Sequence, residues 1–239
     1  MFNSFSRSDA SVYSLVMTLV VFFGILAIPF TAYAQTKDAE IWKGITLERE
    51  FFDKLKFEVS DQVRLSNNLS TFKSNVLDLK SQYKITKEFR VAAGYRFTLT
   101  PTNNRNRISA DFVYKKDIEK ANLEFTARAR TQHEYVRNSS AINIFRPKLT
   151  LAYTKKKLDI EPFVSTEVFY RYTNEENEWR AYRFFVGFNY DLAKKNKVKL
   201  AYFYQKELNE PNPANRHVIQ LIFSVDLTEK KKKKDEKKD

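Results

Sequence analysis

Two side-chain chemistries recur through the chain at positions of matching parity. Arginines stand at Arg64, Arg90, Arg96, Arg107, Arg128, Arg130, Arg146, Arg171 and Arg183. Carboxylates stand at Glu58, Asp78, Asp111, Glu124, Glu134, Asp159, Glu161, Glu167 and Glu207. In extended chain, residues of one parity share one face. Brought together inside a narrow structure, such charges must pair, because an uncompensated buried charge is very costly. The first expectation is therefore a network of cross-strand ion pairs, built from Arg64, Arg90, Arg96, Arg107, Arg128, Arg130, Arg146 and Arg183 with Glu58, Asp78, Asp111, Glu124, Glu161 and Glu167. The functional alternative is a small channel or pocket lined by arginines, which would favour anions. The similar numbers of acids and bases argue against strong selectivity.

Hydrolytic chemistry has few candidates. The histidines are His133 and His217, and both fall on the apolar parity. His133 precedes Glu134 and lies near Ser139 and Ser140, but the spacing fixes no nucleophile–base–acid geometry, so no catalytic residue is assigned. Two histidines without a cysteine give no transition-metal set. The acidic loop 173–178 is a calcium candidate only in the weak sense that any such loop is. No metal and no cofactor is expected.

The elements that would position these charges are strands. From Leu55 to Leu65 apolar and polar residues alternate, and the rhythm returns over 76–85, 89–99, 107–115, 122–135, 145–153, 158–172, 180–190, 198–207 and 216–227. One parity collects Leu, Val, Ile, Phe and Tyr, the other the charges. Pro147 removes a backbone donor within its segment, so a bulge or strand end is expected there. Connections at 86–88, 116–121, 154–157 and 192–196 are short. Those at 66–74, 100–106, 136–141, 173–178 and 208–215 are mostly longer and richer in Asn, Pro and Ser. Short turns alternating with long loops is the pattern of outer-membrane barrels. Segment 41–52 also reads as a strand. It makes the count eleven, whereas single-chain bacterial barrels have even numbers. It pairs partly, enters the lumen, or has an unseen twelfth partner.

Composition bounds the setting. The 239 residues carry 42 Lys and Arg against 29 Asp and Glu, a net charge of +13, and no cysteine. Disulfides and thiolate metal sites are thereby excluded. A mean hydropathy of −0.53 and a charged fraction of 30% would suit a soluble protein, but a membrane barrel dilutes its hydropathy with a polar lumen. The 21 Phe and 13 Tyr suit interfacial girdles. Arg7, the apolar run from Val12 to Phe30 and the A-x-A site Ala32-Tyr33-Ala34 form a secretory signal with cleavage before Gln35. The alternative is a retained membrane helix. Residues 229–239 hold seven Lys and four acids, a composition of solvated, disordered tails. Contact with an anionic periplasmic surface is the functional alternative for the tail.

Several short motifs add a family likeness. Trp42, Lys54-Leu55-Lys56 leading to Arg64, Gly94-Tyr95-Arg96, Arg107, Arg128-Ala129-Arg130 and Arg146 occur in that order, followed by Glu161-Pro162-Phe163, Glu167 with Phe169, and Arg183 before Gly187. Over about residues 40 to 227 the chain resembles domain-of-unknown-function family 2490. The resemblance implies an outer-membrane β-barrel and brings no activity or site residues. The usual terminal aromatic of such barrels is replaced here by Leu227.

The expected protein is all-β, an antiparallel up-and-down transmembrane barrel of 10–12 strands. Residues 1–34 form the signal peptide, 35–54 an N-terminal segment with the extra strand, 55–228 the barrel and 229–239 the tail. A Gram-negative, Sec-exported, porin-like monomer in the outer membrane follows. Its partners would be membrane lipid and the barrel-assembly machinery, with no nucleic acid. An exported soluble barrel binding a small ligand is the runner-up.

Overall fold

Eleven strands account for nearly all of the described chain. They are β1 (Lys37–Phe51), β2 (Leu55–Ser66), β3 (Thr71–Lys84), β4 (Phe89–Leu99), β5 (Arg105–Ile118), β6 (Leu123–Val136), β7 (Ile142–Tyr153), β8 (Ile160–Tyr172), β9 (Asn177–Ala193), β10 (Asn196–Glu207) and β11 (Asn215–Asp226). A computed structural model describes residues 37–136, 141–154, 159–173, 177–193 and 195–228. The expected signal peptide, the Lys-rich tail, Ser139 and Ser140 lie outside these residues, as do residues 174–176 of the acidic loop 173–178.

Each strand pairs antiparallel with the next, and β1 pairs with β11 to close the barrel. The closing pair is parallel, running from Lys37 opposite Asn215 to Glu48 opposite Asp226. Geometry requires this. Strand direction alternates at every hairpin, so the first and eleventh strands point the same way and can pair only in parallel. Segment 41–52 is thus a full stave, hydrogen-bonded to β2 on one side and β11 on the other. No twelfth strand is needed.

The hairpins show why the chain reverses where it does. Phe52 and Asp53, the central residues of the turn 51–54, both adopt positive φ, 53° and 58°, as a hairpin turn matched to strand twist requires. Lys54 N–H donates to the Phe51 carbonyl at 3.1 Å across it. The β2–β3 connection is tighter than the sequence suggested. Asn67, Asn68 and Leu69 take positive φ, and a bulge between Arg64 and Leu65 lets Thr71 and Phe72 continue the ladder. Pro147 remains paired opposite Ala129. On its other side the β7–β8 ladder stops between the Phe145–Tyr170 and Lys148–Glu167 pairs, then resumes in unchanged register. The missing N–H therefore interrupts the ladder without displacing it.

Parity sorts the side chains. Outward lie Ile45, Leu47, Phe57, Val59, Leu77, Leu79, Tyr95, Ile108, Phe112, Leu149, Phe184, Leu200 and Leu221, all exposed. Inward on β1 come Glu40, Trp42 and Thr46, all buried. The outward belt is aliphatic and aromatic, and its charged positions include Lys43 and Asp61 on β1 and β2.

Candidate functional site

The barrel interior gathers the charged residues into distinct layers. At the long-loop end, fully buried Glu40 receives Lys73, lies 3.6 Å from Arg216, and accepts the Trp42 indole N–H at 2.8 Å. Arg216 also meets Glu207 at 2.5 Å. At the short-turn end, Lys56 pairs with Glu48 at 2.7 Å, Lys115 with Glu124 at 2.5 Å and Lys197 with Asp191 at 3.1 Å. Both ends are thus bounded by acids and bases in similar numbers.

The middle is different. Three arginines each hold a separate carboxylate, one of which, Glu134, also lies 3.6 Å from Arg105. Arg96 grips Asp78 through two bonds of 2.6 and 2.7 Å, and Arg130 grips Asp111 in the same way. Arg107 pairs with Glu134. These planar forks are the strongest form of charge-assisted hydrogen bond. Glu167, by contrast, serves three guanidiniums: Arg128 at 2.6 Å, Arg146 at 2.9 Å and Arg183 at 3.6 Å. Arg146 also donates to Gln132 at 3.0 Å, and Arg183 to Gln205 at 2.5 Å.

Other members of the expected network lack these carboxylate partners. Arg64 donates to Gln62 at 2.8 Å, and its guanidinium carbon lies 3.8 Å from the centre of the Trp42 ring. Glu58 is directly across the ladder from Lys80. Arg90 and Glu161 have the inward parity on β4 and β8, and neither makes an ion pair within the described residues.

One side of the interior is aromatic, and this the sequence reading missed. Trp42, Phe163, Phe185, Ala201, Phe203 and Val218 form a buried cluster. Phe203 stacks edge-on to Trp42 at 4.9 Å and tilted to Phe185 at 4.8 Å. Cations lie against these rings. Arg146 and Arg183 stand 4.4 and 4.6 Å from the Phe169 ring, Lys148 4.3 Å from Phe185 and Lys199 5.1 Å from Phe163. Each such contact contributes on the order of 1–2 kcal/mol when desolvated. The only available signal was the parity itself, since Phe185 and Phe203 stand two residues from Arg183 and Gln205 on the inward side. Gly187 makes room beside them. A Cβ there would stand 2.4 Å from the Leu200 carbonyl and 2.8 Å from Ala201.

Between the aromatic side and the arginine side remains a cavity of about 370 Å³, walled by nine Arg and Lys side chains but only two carboxylates, Asp78 and Glu167. The nine arginines and nine carboxylates of inward parity therefore hide a cation-rich centre.

The histidines take no part in it. His133 faces outward beside Tyr135 and contacts Asn143, and His217 bonds the Tyr202 hydroxyl at 2.7 Å. No group of three or more metal-ligating side chains occurs among the described residues.

No curated protein matches the chain significantly. A family model does, over residues 39–216, from the third residue of β1 into the start of β11. The matched span takes in the arginine wall, Glu167 and all of the aromatic cluster but Val218, and the chain belongs to the family described as "Protein of unknown function (DUF2490)".

Proposed function

We propose that the protein is an outer-membrane β-barrel, exported through its N-terminal signal, with a narrow, cation-rich lumen that acts as a scaffold or a small pore rather than a wide channel. The observation that carries this reading is the inversion of the usual soluble arrangement. Large apolar side chains such as Phe57, Leu79, Ile108, Leu149, Phe184 and Ile219 are exposed on the outside of the closed barrel, while Glu40, Asp111, Glu134, Arg146 and Glu167 are buried within it. A soluble monomer rarely exposes a contiguous apolar surface beyond a few hundred Å², whereas a membrane barrel needs an apolar belt around a polar interior. Strands of 11 to 17 residues exceed the 9–11 residues or so needed to cross at a tilt.

The lumen supports modest conduction at most, because Trp42, Phe185 and Phe203 fill one side of it. Membrane partition tests the location. The expressed full-length protein should stay with the outer-membrane fraction through carbonate and urea washes and require detergent for release. Quantitative release by carbonate would sink the proposal.

A further inference from the structure

We infer that the central cavity is a binding site for a small, densely charged oxyanion carrying phosphoryl groups. The inference rests on the reading of the barrel as a lipid-embedded wall around a charged interior. Its basis is a charge imbalance at fixed positions. The pairs Arg96–Asp78, Arg130–Asp111 and Arg107–Glu134 are neutral in themselves. Six further cations of the cavity wall, Arg64, Arg128, Arg146, Lys148, Arg183 and Lys199, share the single carboxylate of Glu167. Among the described residues no carboxylate lies within ion-pair distance of Arg64, Lys148 or Lys199.

An excess of this kind inside a protein is costly unless something neutralises it. Unsatisfied donors point the same way. The Nε atoms of Arg128 and Arg146 are buried and without a hydrogen-bond partner, and buried N–H groups are seldom left so.

The cavity also has the build of a site. The guanidinium of Arg64 lies against Trp42 and those of Arg146 and Arg183 against Phe169. A ring contact takes up the flat face of a guanidinium and leaves its in-plane N–H donors for an oxyanion. Held by rings and by Glu167, the cations are ordered before any ligand arrives, which lowers the entropic cost of binding. The volume of about 370 Å³ is at the small end of ligand pockets.

Several positive charges in so small a space suit a compact, multiply charged ligand better than a monocarboxylate. Phosphoryl groups carry up to two charges each with three acceptor oxygens. The cavity lies inside the barrel wall, so the ligand is a free, water-borne molecule rather than a lipid headgroup.

The test uses inorganic tripolyphosphate on the full-length protein in detergent, with citrate, and with sodium chloride at matched ionic strength. Tripolyphosphate should bind saturably with a stoichiometry of one and raise the thermal midpoint, with at least tenfold weaker binding of citrate. The variant carrying Arg64→Met, Lys148→Met and Lys199→Met should lose at least tenfold in affinity, yet without ligand unfold no lower than the parent, because it sheds mutual repulsion. The single Lys148→Met should shift both properties in the same directions.

Equal binding by the triple variant would place the anion on the outer surface or the Lys-rich tail and overturn the site. So would stabilisation no greater than that by chloride, or a triple variant too unstable to fold. Partition is read separately. A carbonate-released protein that still binds tripolyphosphate supports the site while removing the location, and an integral protein that ignores it overturns the site alone.

Discussion

Glu167 is the residue on which the interior charge balance turns. Its carboxylate is 2% exposed and stands among Arg128, Arg146 and Arg183, so removing its charge would leave three guanidiniums facing one another. Breaking a buried pair by deleting one partner costs about 3–5 kcal/mol. Glu167→Gln should therefore lower the unfolding free energy of the refolded barrel, measured by urea titration, by that amount. Glu48→Gln at the rim, where the carboxylate is 24% exposed beside Lys56, should cost no more than about 1 kcal/mol. Equal effects at the two positions would show that the interior is wet enough to screen both. That charges such as Arg96, Asp78, Arg130 and Asp111 point inward was legible from parity. Which arginine meets which carboxylate was not. Pairing depends on register between neighbours, and register depends on bulges such as that between Arg64 and Leu65, which alternation does not announce.

At the scale of elements, β9 and β10 show how the interior can be polar on one side and aromatic on the other. The run Phe184-Phe185-Val186-Gly187-Phe188 is apolar on both parities, so alternation gives no contrast there and the inward Phe185 passes unnoticed. Its packing depends on the closeness of the two strands at Gly187, where a methyl group would collide with β10 backbone at Leu200 and Ala201. Overpacking of this kind costs about 1–3 kcal/mol. Gly187→Ala should lower the thermal midpoint, and a shift in Trp42 fluorescence should accompany it, because Phe203 bridges Phe185 and Trp42. An unchanged midpoint would mean that β9 and β10 separate freely. Pro147 is the converse case. It predicts a bulge or a strand end, but β7 runs through it from Ile142 to Tyr153 in unchanged register, because the missing donor interrupts only the ladder beside it.

For the whole molecule, the strand count was the question that the rhythm of the sequence left open, since local alternation says nothing about how the last strand meets the first. The parallel seam between β1 and β11 settles it, and it has a consequence for topology. In a barrel with an even number of strands the chain starts and finishes at the same rim. With eleven it cannot. Lys37 begins β1 level with Asn215, at the rim of the long loops, whereas β11 finishes at Asp226, level with Glu48 and the short turns. If the barrel spans a bilayer, residues ahead of β1 and residues behind β11 stand in different compartments, and the wall is a conduit for its own chain. Of two epitopes, one placed just before Lys37 and the other just after Thr228, one should be reached by antibody on intact cells and the other only after the outer membrane is permeabilised. Simultaneous labelling of both from outside would refute that crossing.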